Sequence, residues 1–149
     1  LELKINTAVQ EFHQHDLSFG LLFVDVDHFK AINDTYGHQA GDHVLQNVAE
    51  SLAGHLRNTD VCGRWGGEEF IVLLQGVNLN SISRIAEKLR AMIASSVITV
   101  NEDEQVSITA SIGAAVVRDT DSMTSIVERA DQLMYQSKQL GRNRVTLED

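Results

Sequence analysis

"CGRWGGEEFIVLL", residues 62–74, sets two glycines between a tryptophan and two glutamates and then runs apolar to its end. Between "VCGRW" (61–65) and "EFIVLL" (69–74), Gly66-Gly67 reads as a two-residue β-hairpin loop, because glycine tolerates the positive φ of type I′ and II′ turns. That hairpin makes at least part of the sheet antiparallel. It also leaves Glu68 and Glu69 at a strand junction, where a bare turn has no need of two acids.

Outward from the hairpin, "FGLLFVD" (19–25) is a continuous apolar run closed by an acid, as a fully buried central strand reads. Leu1, Ile5, Val9 and Phe12 repeat at helical spacing. Leu45, Val48, Ala49, Leu52 and Leu56 mark a second helix over 42–56, and Ile82, Ile85, Ala86, Leu89 and Ile93 a third over 81–94. Val97–Val100 and Val106–Val117 read as strands around the polar turn Asn101–Glu104. A last helix over 124–140 carries Ile126, Val127, Ala130, Leu133 and Met134, with Gly141 as its C′ residue and "RNRVTL" as a short closing strand. Strands and helices interleave around at least one hairpin, so the pattern predicts a mixed sheet with helices packed on it.

The 149 residues make one domain with material for a real core, 43% of them hydrophobic. No apolar run approaches the ~18 residues of a membrane span, and no signal peptide is evident. The lone cysteine, Cys62, excludes an internal disulfide and suits a reducing cytoplasm. Twelve Lys+Arg stand against 21 Asp+Glu, a net charge of −9. That balance argues against a nucleic-acid partner, which is gripped through a basic face. A phosphate ligand would have to be held locally, by a metal ion or a few placed cations.

Asp25 is the first such local feature. The carboxyl ends of strands in open sheets are where ligands bind, although an acid there also caps a turn. If the hairpin lies beside the 19–25 strand, Asp25 and Glu68 converge on a hard cation such as Mg²⁺. Without a cation they repel and shift their pKa values. Gly66 and Gly67 leave no side chain between the backbone N–H groups and an approaching phosphate. The six histidines form no H-x-x-x-H pattern, so a transition-metal site is not indicated. Trp65 is expected to pack the hairpin.

"FVDVDHFKAINDTYGHQAGD" (23–42), "RNTDVCGRWGGEEF" (57–70), "ITASIG" (108–113) and "ADQLMYQSKQLGRNRV" (130–145) follow one another in the order of the GGDEF family blocks. The chain resembles that family, the diguanylate cyclases, in the variant with Glu in place of Asp, over residues 19 to 145. The resemblance implies an α+β fold with a central, mostly antiparallel sheet flanked by helices, similar to the palm of nucleotide cyclases and polymerases. It also implies that residues 1–149 form a single GGDEF domain. The D-x-L-T-G-L-x-N-R stretch that the family shows before the first helix is not in this sequence, so the domain is expected to be truncated at its N-terminus.

The implied reaction joins two GTP molecules into cyclic di-GMP with release of two pyrophosphates. Asp25 and Glu68, with the Val26 carbonyl, are the implied Mg²⁺ ligands, and Mn²⁺ is an acceptable substitute. Glu68 is also an implied acceptor of the hydroxyl proton. Glu69 either ligates a second metal or holds the hairpin by hydrogen bonds. Asn33 and Asp42 match the guanine contacts, and His38 a position touching the nucleotide. An ionised Asp accepts from guanine N1–H and N2–H₂, donors that adenine cannot match; Asp42 also reads as the N-cap of the 42–56 helix. Lys138 and Arg142 match the pair holding the β- and γ-phosphates, though cations at a helix end also complement its dipole. Arg57 and Asp60 match an inhibitory product site, whose further cations are Arg84, Lys88, Arg90 or a partner chain's. Turnover is expected to need a homodimer, brought together by an upstream sensor domain. The rival reading is a catalytically inactive module that binds cyclic di-GMP or GTP as a sensor; an enzyme accepting ATP is a third.

Overall fold

The computed structural model describes residues 1–148. Along the chain run α1 (Glu2–His15), β1 (Phe19–Val26), α2 (Phe29–Tyr36), α3 (His38–Gly54), β2 (Val61–Gly66) and β3 (Glu69–Gln75). Then follow α4 (Leu79–Ser95), β4 (Val97–Val100), β5 (Glu104–Ser107), β6 (Ala110–Val116), α5 (Met123–Gln139) and β7 (Arg144–Leu147). One five-stranded sheet has the order β2-β3-β1-β6-β7, and β4-β5 form a separate ribbon. Pairing is antiparallel except between β6 and β7. The fold is α+β with a mostly antiparallel sheet.

The apolar run 19–26 is buried throughout because β1 is the middle strand and helices cover both of its faces. Phe19, Leu21 and Phe23 join Ile71 and Leu73 in the core shared with α1 and α5. Leu22, Val24 and Val26 join Phe70, Val72 and Leu74 in the core beneath α2, α3 and α4. Alternation along a strand fixes this division. By the same parity Asp25 falls on the α5 face of β1, and Glu69 on the α5 face of β3. No helix among the described residues is long and apolar enough to cross a membrane.

Four local features differ from expectation. Residues 29–36 form a helix, α2, which only Phe29 and Ile32 anchor to the core; so short an apolar pattern carries no helical period. Helix α3 begins at His38, after Gly37 at φ 94°, rather than at residue 42. Asp42 therefore lies inside the helix and is not its N-cap. The stretch Val106–Val117 is not one strand: β5 pairs with β4 alone and ends at Ser107, β6 starts at Ala110, and between them the Thr109 carbonyl accepts from Asp27 N–H at 2.9 Å. The hairpin loop is displaced by one residue. Gly66 pairs with Glu69, a bulge lies between Arg64 and Gly66, and the turn is Gly67-Glu68. Neither Gly66 nor Gly67 has a left-handed φ, so this is not the primed turn that their sequence suggests.

Candidate active site

Register brings the acids together. Asp25 stands directly opposite Glu69 across β1 and β3, and Val26 N–H donates to the Glu68 carbonyl at 3.2 Å. Asp25, Glu68 and Glu69 thus share one corner of the sheet, where the hairpin tip meets the end of β1. Asp25 is only 6% exposed. Burial raises its pKa, the Lys138 hydrogen bond and charge pull it back, and the charges of Glu68 and Asp27 add to the rise. Glu69 is raised as well, first by burial, then by the charges of Asp25, Asp131 and Glu68, with Lys138 opposing. This corner is short of positive charge.

Lys138, one residue from the end of α5, is the cation that pairs with Asp25. Its Nζ donates to Asp25 Oδ1 at 2.7 Å across the α5 face of the sheet. Among the described residues, no three His, Cys, Asp or Glu side chains gather closely enough to enclose a metal ion alone. A Mg²⁺ ion does not need such a cage, since it takes one or two carboxylates and completes its shell with water and phosphate oxygens. The residues present fit that requirement: clustered hard oxygen donors whose mutual repulsion a single ammonium only partly offsets.

The hairpin tip is shaped by a residue that the motif reading passed over. Arg64 donates from Nε and Nη2 to the Gly67 carbonyl, at 2.9 and 2.6 Å. A Cβ on Gly67 would meet nothing within 4 Å. Glycine is therefore required there neither by φ nor by a protein neighbour, and its missing side chain leaves open surface above the acids.

Asn33 sits where α2 meets α3, against Gly41, the residue before Asp42. Asn33 Oδ1 is the only buried side-chain polar atom without a hydrogen-bond partner among the described residues. A Cβ on Gly41 would lie 1.8 Å from it, so glycine lets the amide sit against α3. Buried orphan acceptors are rare and costly, and this one invites a donor from a ligand. Asp42 lines a groove of about 450 Å³ together with Leu45, Ala49, Cys62, Arg64 and Phe70, within the range of ordinary ligand pockets. Burial pushes the Cys62 thiol up to about 11, so it faces the groove protonated. His38 lies exposed at the first residue of α3.

Arg142 follows Gly141, whose φ of 120° ends α5 as a C′ residue should. Arg142 is exposed, while Lys138 is engaged with Asp25. Arg57 and Asp60 lie away from this corner and are already satisfied by each other. The Arg57 guanidinium grips Asp60 by two bonds of 3.1 Å and donates to the Gln75 carbonyl at 2.6 Å. Gln75 N–H in turn donates to Asp60 Oδ1, so the pair clamps the start of β2 to the end of β3. Arg84 and Lys88 are exposed on α4, whereas Arg90 is held by Glu87 and Asn143. Trp65 packs against the α1/α5 core.

Two polar centres escaped the sequence reading because their partners are distant along the chain. Asp27, 2% exposed, is bonded by Thr109, Ser111 and Asn143. Arg129 bridges Asp121 and Glu148. The alternation Asp25-Val26-Asp27 at a strand end was the one local signal for the first. The second had none.

The family profile described as "Diguanylate cyclase, GGDEF domain" matches residues 1–144. The chain is 45% identical over 131 residues to diguanylate cyclase A of Treponema denticola, covering 87% of this chain and 35% of that protein. Across the first curated relatives it spans 35%, 36% and 22% of their lengths. Its structure is similar to the coiled coil and GGDEF domain of DgcB from Caulobacter crescentus in complex with c-di-GMP (TM-score 0.94, 32% identity, 99% of this chain and 78% of that one). It is also similar to the active GGEEF domain of a diguanylate cyclase from Vibrio cholerae (TM-score 0.90, 29% identity, 100% and 94% covered). With the sheet order, the acidic corner and these matches in agreement, the chain belongs to the GGDEF family, the diguanylate cyclase domains.

Proposed function

We propose that this chain is a single catalytic GGDEF domain that condenses two GTP molecules into cyclic di-GMP and two pyrophosphates. The observation that carries the reading is the meeting of Asp25, Glu68 and Glu69 at the tip of an open glycine turn, against the Lys138 ammonium. A divalent ion, Mg²⁺ in this reading, would be held by Asp25, Glu68 and the Val26 carbonyl, and when bound it supplies charge neutralisation at the α-phosphate. The protein's own part is positioning, the larger share of phosphoryl-transfer catalysis. Lys138 and Arg142 hold the β- and γ-phosphates, and Gly67, with no side chain at the Gly67-Glu68 turn, leaves room for the triphosphate. His38 lies at the rim of the nucleotide site. Glu68 accepts the attacking hydroxyl's proton, and Glu69, directly opposite Asp25, either ligates a second metal or holds the hairpin. Each domain presents one such site, so two domains must face each other for turnover, which makes an upstream sensor that pairs them the natural control. Incubation with GTP and Mg²⁺ at high protein concentration tests this: cyclic di-GMP should accumulate, and its absence would leave a GTP- or product-binding module.

Base choice falls to Asn33, with its orphan acceptor, and to Asp42 in the groove it lines. A site built for hydrogen-bond donors rejects a base that lacks them, because its acceptors are left unpaired. The expected outcome of competing GTP against ATP is strong preference for GTP. Asp42→Ala should lower that preference by roughly a hundredfold, about 3 kcal/mol. Undiminished preference in the variant would overturn the assignment.

Product inhibition is proposed at Arg57 and Asp60. Arg57 is exposed and presents a guanidinium suited to guanine or phosphate, and the DgcB structure named above carries c-di-GMP. Ligand binding there competes with the Arg57–Asp60 clamp. Calorimetry with cyclic di-GMP should show binding that Arg57→Ala weakens about tenfold. An unchanged affinity would leave the clamp as the pair's only role.

A further inference from the structure

Asp27 lies just beyond β1, two residues past Asp25, and is almost wholly buried. Ser111 Oγ donates to Oδ1 at 2.7 Å; Thr109 Oγ1 at 2.7 Å and Asn143 N–H at 3.0 Å donate to Oδ2. A carboxylate facing three inward donors is a satisfied structural anion. It is not arranged to take a metal.

The Asn143 bond is the informative one. Gly141, Arg142 and Asn143 all have positive φ, at 120°, 64° and 47°. Gly141 alone would end α5. Continuing through Arg142 and Asn143 strains residues that carry a side chain, although Asn tolerates it better. Such backbone persists only where its surroundings over-determine it. Here Arg142 N–H donates to the Ser137 carbonyl at 2.9 Å, Asn143 N–H to Asp27, and Arg90 Nη1 to Asn143 Oδ1 at 2.6 Å. The end of β1 therefore holds both ends of one segment: Asp25 takes Lys138 Nζ, and Asp27 takes Asn143 N–H.

We infer that Asp27 is a positioning residue for the triphosphate, fixing Arg142 through the backbone of Asn143. The inference rests on the proposed phosphate role of Arg142. Asp25 and Asp27 would then divide the work, one on the reacting corner and one on the loop that carries the cation. Sequence motifs cannot show this, since the bond runs from one side chain to a backbone N–H far along the chain.

The test is calorimetry of the whole chain with α,β-methylene-GTP and Mg²⁺, beside GMP. Asp27→Asn replaces one acceptor with an NH₂ that faces donors. It should weaken the triphosphate analogue about tenfold and GMP little. In an Arg142→Ala background the same change should add almost nothing, the non-additivity expected of residues acting through one another. Ser111→Ala keeps Asp27 and Asn143 but removes the donor that holds Asp27 Oδ1, loosening the carboxylate that takes Asn143 N–H, and should show the same pattern at roughly threefold. That second cycle decides the matter if Asp27→Asn does not fold. Equal weakening of GMP and analogue, or full additivity with Arg142→Ala, would overturn the inference while leaving the cyclase reading intact. If Arg142→Ala itself binds like the parent, the phosphate assignment falls and the inference with it.

Discussion

Glu68→Gln should fold as well as the parent and yet make cyclic di-GMP about a thousandfold more slowly, the scale on which a transition-state charge contact counts. The backbone explains the first half. Glu68 contributes its carbonyl to Val26 N–H, and that bond survives any change of side chain. The carboxylate itself only harms the resting fold, because it adds negative charge beside Asp25 and Glu69 and helps raise both pKa values. Removing that charge should leave the melting temperature unchanged or slightly higher. The two readouts moving in opposite directions mark a residue kept for chemistry rather than for structure. Initial rates of product formation and a thermal melt on the same preparation measure both. A variant within about tenfold of the parent rate would remove Glu68 from the mechanism.

Gly113→Ala should act through the fold. Phe23 and Thr146 flank Gly113 on β1 and β7, and α5 crosses directly above it. An added Cβ would lie 2.1 Å from the Ala130 carbonyl oxygen and 2.3 Å from Met134 N. Both are helix backbone, which has no rotamer to swing aside, so α5 must lift. The cost expected is about 3 kcal/mol, the upper end for overpacking, or a melting temperature lower by roughly 6–12 °C. Lys138 rides on α5, and its 2.7 Å contact with Asp25 depends on the height of that helix. Synthesis measured well below the melt should therefore fall further than the folded fraction does. Gly54→Ala is the control: a Cβ there meets nothing within 4 Å, at the end of α3, and should be neutral or slightly stabilising. Equal behaviour of the two variants would mean that the α5–β6 approach is not tight.

The buried β1, the hairpin and the faces of α1, α3, α4 and α5 were legible because each carries its own period: continuous for a strand covered on both sides, near 3.6 for a helix covered on one. The acids were legible too, since Asp25 ends an apolar run and Glu68 follows a glycine pair. The turn itself was misplaced by one residue. Local propensity favours Gly66-Gly67, but the bulge beside Trp65 sets the register so that Gly67-Glu68 makes the turn. Asp42 admitted two readings until Gly37, breaking the chain at φ 94°, gave α3 an earlier start.

The sequence by itself determined the kinds of element, the layering of helices on a sheet, and which side chains could do chemistry. Tertiary structure alone decided the pairing of Asp25 with Glu69, the reach of Lys138 from α5 to that corner, and the tie from Asp27 to Asn143. The reason is range. Periodicity and turn chemistry act over a few residues, whereas these contacts join segments more than forty residues apart and exist only once sheet order and helix height are set.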